Sequence, residues 1–338
     1  MTSDYKRGDC FGIGPVTVES RAVLAPLSGV TDVVLRRIAR RFGAGLVVSE
    51  MVASDELVRG SLEARLRAEG DGIAPHVVQL AGCDPRWMAE AVRVAQGAGA
   101  RIVDINMGCP AKRVIGGYAG SALMRDLDQA CRIIEATVAA ASVPVTVKMR
   151  LGWDHASLNA PDLARRAASL GAAAVTVHGR TRQQFYKGSA DWTAIAATVE
   201  SIACPVIANG DVGSLEDARR CLSASGAAAV MVGRAAVGRP WLVGRIGAAL
   251  QGRVLPDPSP DVRAAVAIEH YEGLIALYGR PTGIRHARKH LAAYADAAAA
   301  AGFAMRPEDR LTLVTSEDPA QVVRILRRLY GEPCREAA

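Results

Sequence analysis

Eight short apolar, β-branched runs alternate with longer helical stretches over some 215 residues, and no other feature limits the fold of this chain as strongly. The runs are AVLAPLSG from 22, GLVVSE from 45, HVVQLAG from 76, IVDINMG from 102, PVTVKMR from 144, AAVTVHGR from 173, PVIANGDV from 205 and AVMVGR from 229. A strand buried on both faces reads as a continuous apolar run, and a helix between successive strands makes them parallel. Eight such units predict a closed (β/α)8 TIM barrel of the α/β class. The connecting segments, such as TDVVLRRIARRFG (31–43) and SLEDARRCLSASG (214–226), are amphipathic, open on an N-cap candidate and close on glycine.

The texture changes after WLVGRIGAALQGRV: the proline cluster LPDPSPD (255–261) is followed by helical patterns and no convincing strand. This predicts two domains, a barrel over 1–250 and an all-helical C-terminal domain over 251–338. The 338 residues, 50% hydrophobic and 22% charged, suffice for a large core. The N-terminal stretch MTSDYKRGDCFGIGP is polar, and no run approaches the roughly 18 apolar residues that span a bilayer. The expectation is a cytoplasmic protein with no membrane partner. Seven scattered cysteines without a CxxC pair argue against a disulfide framework or a zinc site, and six of them read as small buried hydrophobes.

In such a barrel, chemistry gathers at the C-terminal ends of the strands. Polar residues stand there: Gln79, Asn106, Cys109, Lys148, Arg150, His178, Arg180, Asn209, Asp211 and Arg234. NGDVGSLEDA and VGRAAVGRPW place Gly210 and Gly233 after the last two strands, where free backbone N–H groups suit a phosphate and Arg234 adds a fork. Lys148 can be read as a Schiff-base lysine, as a contact to an anionic cofactor ring, or as the partner of a buried carboxylate. His178 can equally be a satisfied core histidine or a ligand contact. Cys109 sits between Gly108 and Pro110 at a strand exit, ahead of the glycine-rich IGGYAG, which reads as a loop able to close. A thiol with a pKa near ~8.5 is mostly protonated at neutral pH and suits a general acid.

The motifs APLSGVTD (25–32), INMGCPAKRVIGGYAGSAL (105–123), VKMRLGW (147–153), VHGRTRQQFYKG (177–188), VIANGDV (206–212) and VMVGRAAVGRPW (230–241) together resemble the tRNA-dihydrouridine synthases. The resemblance continues into the helical tail through RHARKHL (285–291), and NMGCPAKRV is most similar to the bacterial B-type subfamily. One departure is Leu27, where the family commonly has Met. The resemblance implies FMN at the barrel mouth, reduced by NADPH or NADH, and a D-loop uridine of tRNA as substrate, with position 17 suggested by the B-type form. Carried over by position, Pro26, Leu27 and Ser28 would line the flavin, Gln79 and Lys148 would hold its ring, and His178 would lie beside it. Asn209, Gly210, Asp211, Gly233 and Arg234 would secure ribityl and phosphate. Flavin would deliver hydride to C6 of uracil and Cys109 would protonate C5, while Asn106, Arg150 and Arg180 would contact the base or its surroundings.

The charge of +7 allows a polyanionic partner, although only five of the 41 basic residues are lysine. Lys112, Arg113, Arg182 and Lys187 fall in mouth loops, and Arg285, Arg288 and Lys289 cluster on the tail. From 251 onward 12 basic residues meet 11 acidic ones, so any RNA contact there rests on a local patch. Arg36, Arg37, Arg40 and Arg41 read as the solvated face of the first barrel helix. No stable protein partner is implied. The competing classes are a flavin-dependent reductase of a small pyrimidine or enone, a colourless Schiff-base aldolase, and a non-catalytic RNA-binding regulator. No GxGxxG follows a strand, which disfavours a stable Rossmann-type NADPH site.

Overall fold

The computed structural model describes residues 10–331; Cys334 and the first nine residues of the polar N-terminal stretch lie outside the described residues. The chain opens on an antiparallel hairpin, β1 (Phe11–Ile13) and β2 (Val16–Val18). The barrel follows as β3 (Ala22–Leu24), β4 (Leu46–Ala53), β5 (Val77–Ala81), β6 (Ile102–Met107), β7 (Val145–Arg150), β8 (Ala174–His178), β9 (Val206–Asn209) and β10 (Ala229–Val232). These eight strands pair in parallel and in chain order, and β10 closes on β3. Each of the eight apolar runs thus supplies one stave.

The hairpin explains how the barrel is filled. Phe11, Ile13 and Val18 pack in one cluster with Leu46, Val77, Ile102, Ala174, Ile207 and Ala229, which stand at or near the starts of their strands. The hairpin therefore plugs the N-terminal end with apolar side chains, and the polar residues are left to the other end. A second core lies between the sheet and the surrounding helices, with Val47, Val78, Val103, Val147, Val175 and Val230 among its members. Successive strand residues face opposite sides, so each stave feeds both cores.

Local capping follows the sequence pattern. The helix Val33–Arg41 is capped by Asp32, and the helix Leu215–Ser225 runs from the Ser214 cap to Gly226 in the left-handed conformation. The reading of the four arginines on the first of these helices is corrected by the structure. Arg36 is buried, its guanidinium donating to the carbonyls of Thr31, Arg67 and Glu69, while Arg37 and Arg40 are half-buried and Arg41 alone is exposed. Carbonyl groups of the segment after β4 need donors, and Arg36 supplies them. The cysteine expectation also changes: Cys10 and Cys83 are exposed, Cys131 and Cys204 half-buried, and Cys221 buried.

Beyond the 255–261 segment, the helices Pro260–Tyr278, Arg280–Ala300, Pro307–Thr315 and Pro319–Gly331 build a bundle with its own core. Tyr271, Leu291, Tyr294 and Leu326 belong to that core, and Ile38 and Trp241 join it from the barrel side. The junction is polar at one point. Asp32 Oδ1 accepts from Val34 N and Leu35 N at 2.9 and 3.0 Å, and Oδ2 faces His270 Nε2 at 3.2 Å and His290 Nε2 at 3.7 Å. Burial acts to raise the Asp32 carboxyl, but the charge and hydrogen bond of His270, with His290 behind, hold it at about 2. Burial and the neighbouring His270 push His290 down to about 3. Among the described residues no helix is long and apolar enough to cross a membrane.

Candidate active site

A cavity of about 850 Å³ occupies the C-terminal end of the barrel. It is lined by residues from the β3 exit (Pro26, Leu27, Ser28), from β5 and β6 (Gln79, Asn106, Cys109), and from β7 and β8 (Lys148, Arg150, His178, Arg180). The β9 and β10 exits close the ring with Asn209, Gly210, Asp211, Gly233 and Arg234. The sequence-predicted cofactor positions therefore share one wall with the thiol. The other predicted contacts lie outside: Lys112 and Arg113 are exposed on the short helix Lys112–Gly116, and Arg285, Arg288 and Lys289 are exposed on the tail helix Arg280–Ala300. Arg182 is half-buried and stacks on Trp153 at 4.7 Å, and Lys187 is exposed. Lys289 reaches the loop after β3, since a Cβ on Gly29 would lie 3.0 Å from its Nζ.

The floor is a chain of oriented amides. Asn106 Oδ1 accepts the backbone N–H groups of Gly108 and Cys109 at 3.2 and 3.0 Å, and its Nδ2 donates to Gln79 Oε1 at 2.8 Å. Gln79 Nε2 donates in turn to Asp104 Oδ2 at 2.7 Å, and Thr146 Oγ1 donates to Asp104 Oδ1 at 2.6 Å. Lys148 is half-buried in the cavity floor, and among the described residues its one hydrogen bond is to Asn209 Oδ1 at 3.1 Å. Asn209 Nδ2 donates to Met231 O, which fixes that amide. An ammonium has three donors, so Lys148 keeps two for a ligand. Burial, and then the Arg150 charge, lower its pKa, while Asp104 opposes the shift.

Two arginines act on the walls. Arg150 and Arg180 are each only 2% exposed, so both guanidinium groups are committed to protein. Arg150 donates to the carbonyls of Gly108, Thr181 and Phe185, and Arg180 to Lys187 O, Gly188 O and both oxygens of Asp211. They hold the 181–188 loop against the β6 exit. Asp211 also meets Arg234 at 3.3 Å and accepts from Ala190 N. Burial, the largest single effect, would raise its carboxyl, but the Arg180 hydrogen bonds, the Ala190 N–H and the Arg180 and Arg234 charges together lower it. Gly210 has φ of 119°, and a Cβ there would lie 2.7 Å from that of Ala190, so only glycine fits beside His178. Burial first, then the cations Lys148, Arg150, Arg180 and Arg234, keep His178 neutral, with a pKa well below the usual range.

Cys109 is half-buried, and burial pushes its thiol up despite the Ala111 N–H and the Arg150 and Lys148 charges. The thiol is therefore protonated at neutral pH. Ser121 clamps the turn, its N and Oγ donating to Cys109 O at 3.0 and 2.9 Å. The glycine-rich stretch read as a closing loop is partly helical: Lys112–Gly116 is followed by a 3-10 segment, Gly120–Arg125. Gly120, at φ of 60°, lets that segment approach, since a Cβ would lie 2.8 Å from Cys109 O.

Sequence reasoning missed Asp104, Met51, Glu50 and Tyr186. Met51 lines the cavity beside a register shift in β4, and buried Glu50 accepts the Gly29 N–H of the mouth loop. Tyr186 stands at the rim with Arg150 and Arg234 at 5.8 and 5.3 Å from its ring centre. Asp104 carried a usable signal, being the one charge within IVDINM and two residues from Asn106, hence on the same face.

Comparison with known proteins follows the same line. The family described as Dihydrouridine synthase (Dus) matches residues 23–327. A probable tRNA-dihydrouridine synthase of Rhizobium leguminosarum bv. phaseoli is 53% identical over 315 residues, covering 93% of this chain and 96% of that protein. The tRNA-dihydrouridine synthase B of Xanthomonas axonopodis pv. citri is 48% identical over 285 residues, with 84% and 86% covered. Among solved structures, the old yellow enzyme homologue from Zymomonas mobilis aligns with a TM-score of 0.53 at 16% identity, over 75% of this chain and 95% of that one, a likeness of fold. The match spans the barrel and most of the tail, and by it the chain belongs to the dihydrouridine synthase family.

Proposed function

We propose that this protein is a tRNA-dihydrouridine synthase, an oxidoreductase that uses FMN and NADPH to reduce the C5–C6 double bond of a D-loop uridine. The observation that carries the reading is the placement of a protonated, half-buried thiol on the wall of the cavity that also holds a half-buried lysine with unused donors and the Gly233–Arg234 turn. The residues fit a flavin phosphate and ring. Lys148 offers two N–H donors at the floor, Arg234 lies at the rim, and the 3-10 turn Arg234–Ala236 begins at Gly233 with N–H groups that short helical geometry leaves free. Cations outnumber the single Asp211 carboxylate around the cavity, which favours an anionic group.

A reduced flavin bound there supplies hydride to C6 of the base. Cys109 gives its proton to C5: the S–H bond breaks, a C–H bond forms, and the thiolate is reprotonated from solvent. Neutral His178 and the oriented Gln79 and Asn106 amides offer hydrogen bonds without adding charge. Arg150 and Arg180 contribute to the substrate side by fixing the 181–188 loop rather than by reaching the base. Burying a base from folded tRNA requires its extrusion, and the exposed cations Lys112, Arg113, Lys187, Arg285, Arg288 and Lys289 provide phosphate contacts around the opening. The C-terminal domain expected over 251–338, whose described helices span Pro260–Gly331, serves in this reading as a tRNA-binding domain. In this reading the target is position 17, as the B-type resemblance implies, and the reaction belongs to the cytoplasm.

The test is an absorbance spectrum of the purified protein, followed without air by NADPH and then unmodified tRNA. The expected result is a flavin spectrum that bleaches with NADPH and recovers with tRNA, together with new dihydrouridine in the RNA. Cys109→Ala should keep NADPH-driven bleaching and lose product formation by about 100-fold or more. A colourless protein that does not take up FMN would return Lys148 to the Schiff-base reading. Wild-type product levels from Cys109→Ala would remove the thiol from the chemistry.

A further inference from the structure

Asp104 lies beneath the cavity, 4% exposed and outside its lining, and its position on the sheet is well defined. In the ladder it stands opposite Gln79 on β5 and opposite Thr146 on β7, two residues before Asn106 on its own strand. Each carboxylate oxygen takes one donor, Thr146 Oγ1 at 2.6 Å and Gln79 Nε2 at 2.7 Å.

The sense of these bonds has a consequence along the chain of amides. Burial pushes the Asp104 carboxyl up to about 6 against the Gln79 and Thr146 hydrogen bonds and the Lys148 charge, so above that pH it is ionised; an ionised carboxylate only accepts, and Gln79 must turn its NH2 toward Asp104 and its Oε1 toward Asn106. Asn106 must then present Nδ2 to Gln79, which leaves Oδ1 for the N–H groups of Gly108 and Cys109. Were the two amides reversed, the Asn106 NH2 would face two backbone donors, and the strand exit could not close in its present form. A hydroxyl or a carboxamide at 104 would donate as readily as accept and would leave both senses open.

We propose that Asp104 is a positioning residue that sets the sense of the Gln79 and Asn106 amides and thereby holds the Cys109 turn in its proton-donating geometry. The inference rests on the assignment of Cys109 as the acid. Asp104 acts through Gln79 and Asn106 and does not touch the substrate.

A polarity swap tests this. Asp104→Asn should slow tRNA-dependent reoxidation of the reduced flavin by about 10- to 100-fold while bleaching by NADPH stays near wild type. Asn106→Asp should slow it similarly, because two carboxylates then compete for one Gln79 NH2. In the double variant Asp104→Asn/Asn106→Asp every bond can re-form with Gln79 reversed. The amide now at position 104 donates to Gln79, Gln79 donates to the carboxylate now at position 106, and that carboxylate accepts from the turn. The rate of the double variant should return to within about 3-fold of wild type, a coupling that simple loss of packing does not produce. Thr146→Val removes the other bond to the same carboxylate, and the reoxidation rate should hold even where the melting temperature falls. Equal slowing by Thr146→Val, a wild-type rate for Asp104→Asn, or a double variant no faster than the slower single one would each overturn the proposal. Should a single variant be too unstable to purify, the double variant decides alone, an active enzyme supporting the relay and an inactive one refuting it. Product from Cys109→Ala at the wild-type level would instead remove the acid assignment itself, so the two failures are distinguishable.

Discussion

Two of the buried polar networks among the described residues end differently. At the junction with the helical bundle, Asp32 commits Oδ1 to its own helix N-terminus and Oδ2 to His270, with His290 close by, and Tyr294 meets the far nitrogen of His270. In the barrel mouth, the chain from Asp104 through Gln79 and Asn106 ends at the Cys109 turn, and beside it Lys148 retains two unused donors. The first network is spent between elements of the same chain, with the buried His290 Nδ1 left without a hydrogen-bond partner among the described residues. The second stops at a cavity wall. Buried polar groups are destabilising unless paired, so a network left open toward a cavity implies a ligand that completes it, whereas one spent mainly between elements implies docking.

That contrast can be broken by experiment, beginning with the junction network. Asp32→Ala removes the helix cap and leaves two buried histidines without their carboxylate, and it should cost about 3–5 kcal/mol in denaturant unfolding. A loss below about 1 kcal/mol would show that the junction is held by apolar packing alone. The open network should respond in the opposite way. Lys148→Met replaces a half-buried charged side chain by an apolar one of similar length, so stability of the flavin-free protein should stay level or rise, while flavin retention falls by about 10- to 100-fold. If stability drops and flavin stays, Lys148 is a structural partner of Asp104.

Acid should separate the two regions further. The folded pKa of His290 is depressed from 6.5 to about 3, and that of Asp32 from 3.8 to about 2. A group with a depressed folded pKa contributes stability above its unfolded value and loses it as pH falls. His290 therefore begins to weaken the junction below its unfolded value of 6.5, and Asp32 follows only below 3.8. The expected loss is on the order of 2 kcal/mol by about pH 5, measured by unfolding midpoints, and His290→Gln should flatten that dependence. The smallest effects belong to the surface. Arg285→Ala and Arg288→Ala should leave melting unchanged, weaken binding of different tRNAs alike, and each reduce the salt slope by about 1. An unaltered slope would place the RNA on another face.

Much of the site was legible because a β-strand alternates its faces and a parallel barrel directs its strand ends to one rim. Gln79, Asn106, Lys148, His178 and Asn209 could be picked from single runs, and each lines the cavity. Arg36 was misread because helical periodicity marks an apolar stripe but does not reveal that the 67–69 segment brings carbonyl groups over that stripe. The hairpin Phe11–Val18 escaped notice because three-residue strands carry almost no periodic signal.

The sequence by itself determined the eight-stave barrel, the helical bundle and the ring of polar strand ends, since period, caps and glycine positions are local properties of the chain. Only the tertiary structure decided which polar groups serve each other. It committed Arg150 and Arg180 to loop carbonyls and Asp211, closed Asp32 against two histidines more than 230 residues away, and left Lys148 with donors to spare. Hydrogen bonding is a matter of distance and direction between groups from different elements, and those are fixed only when the staves and helices have packed.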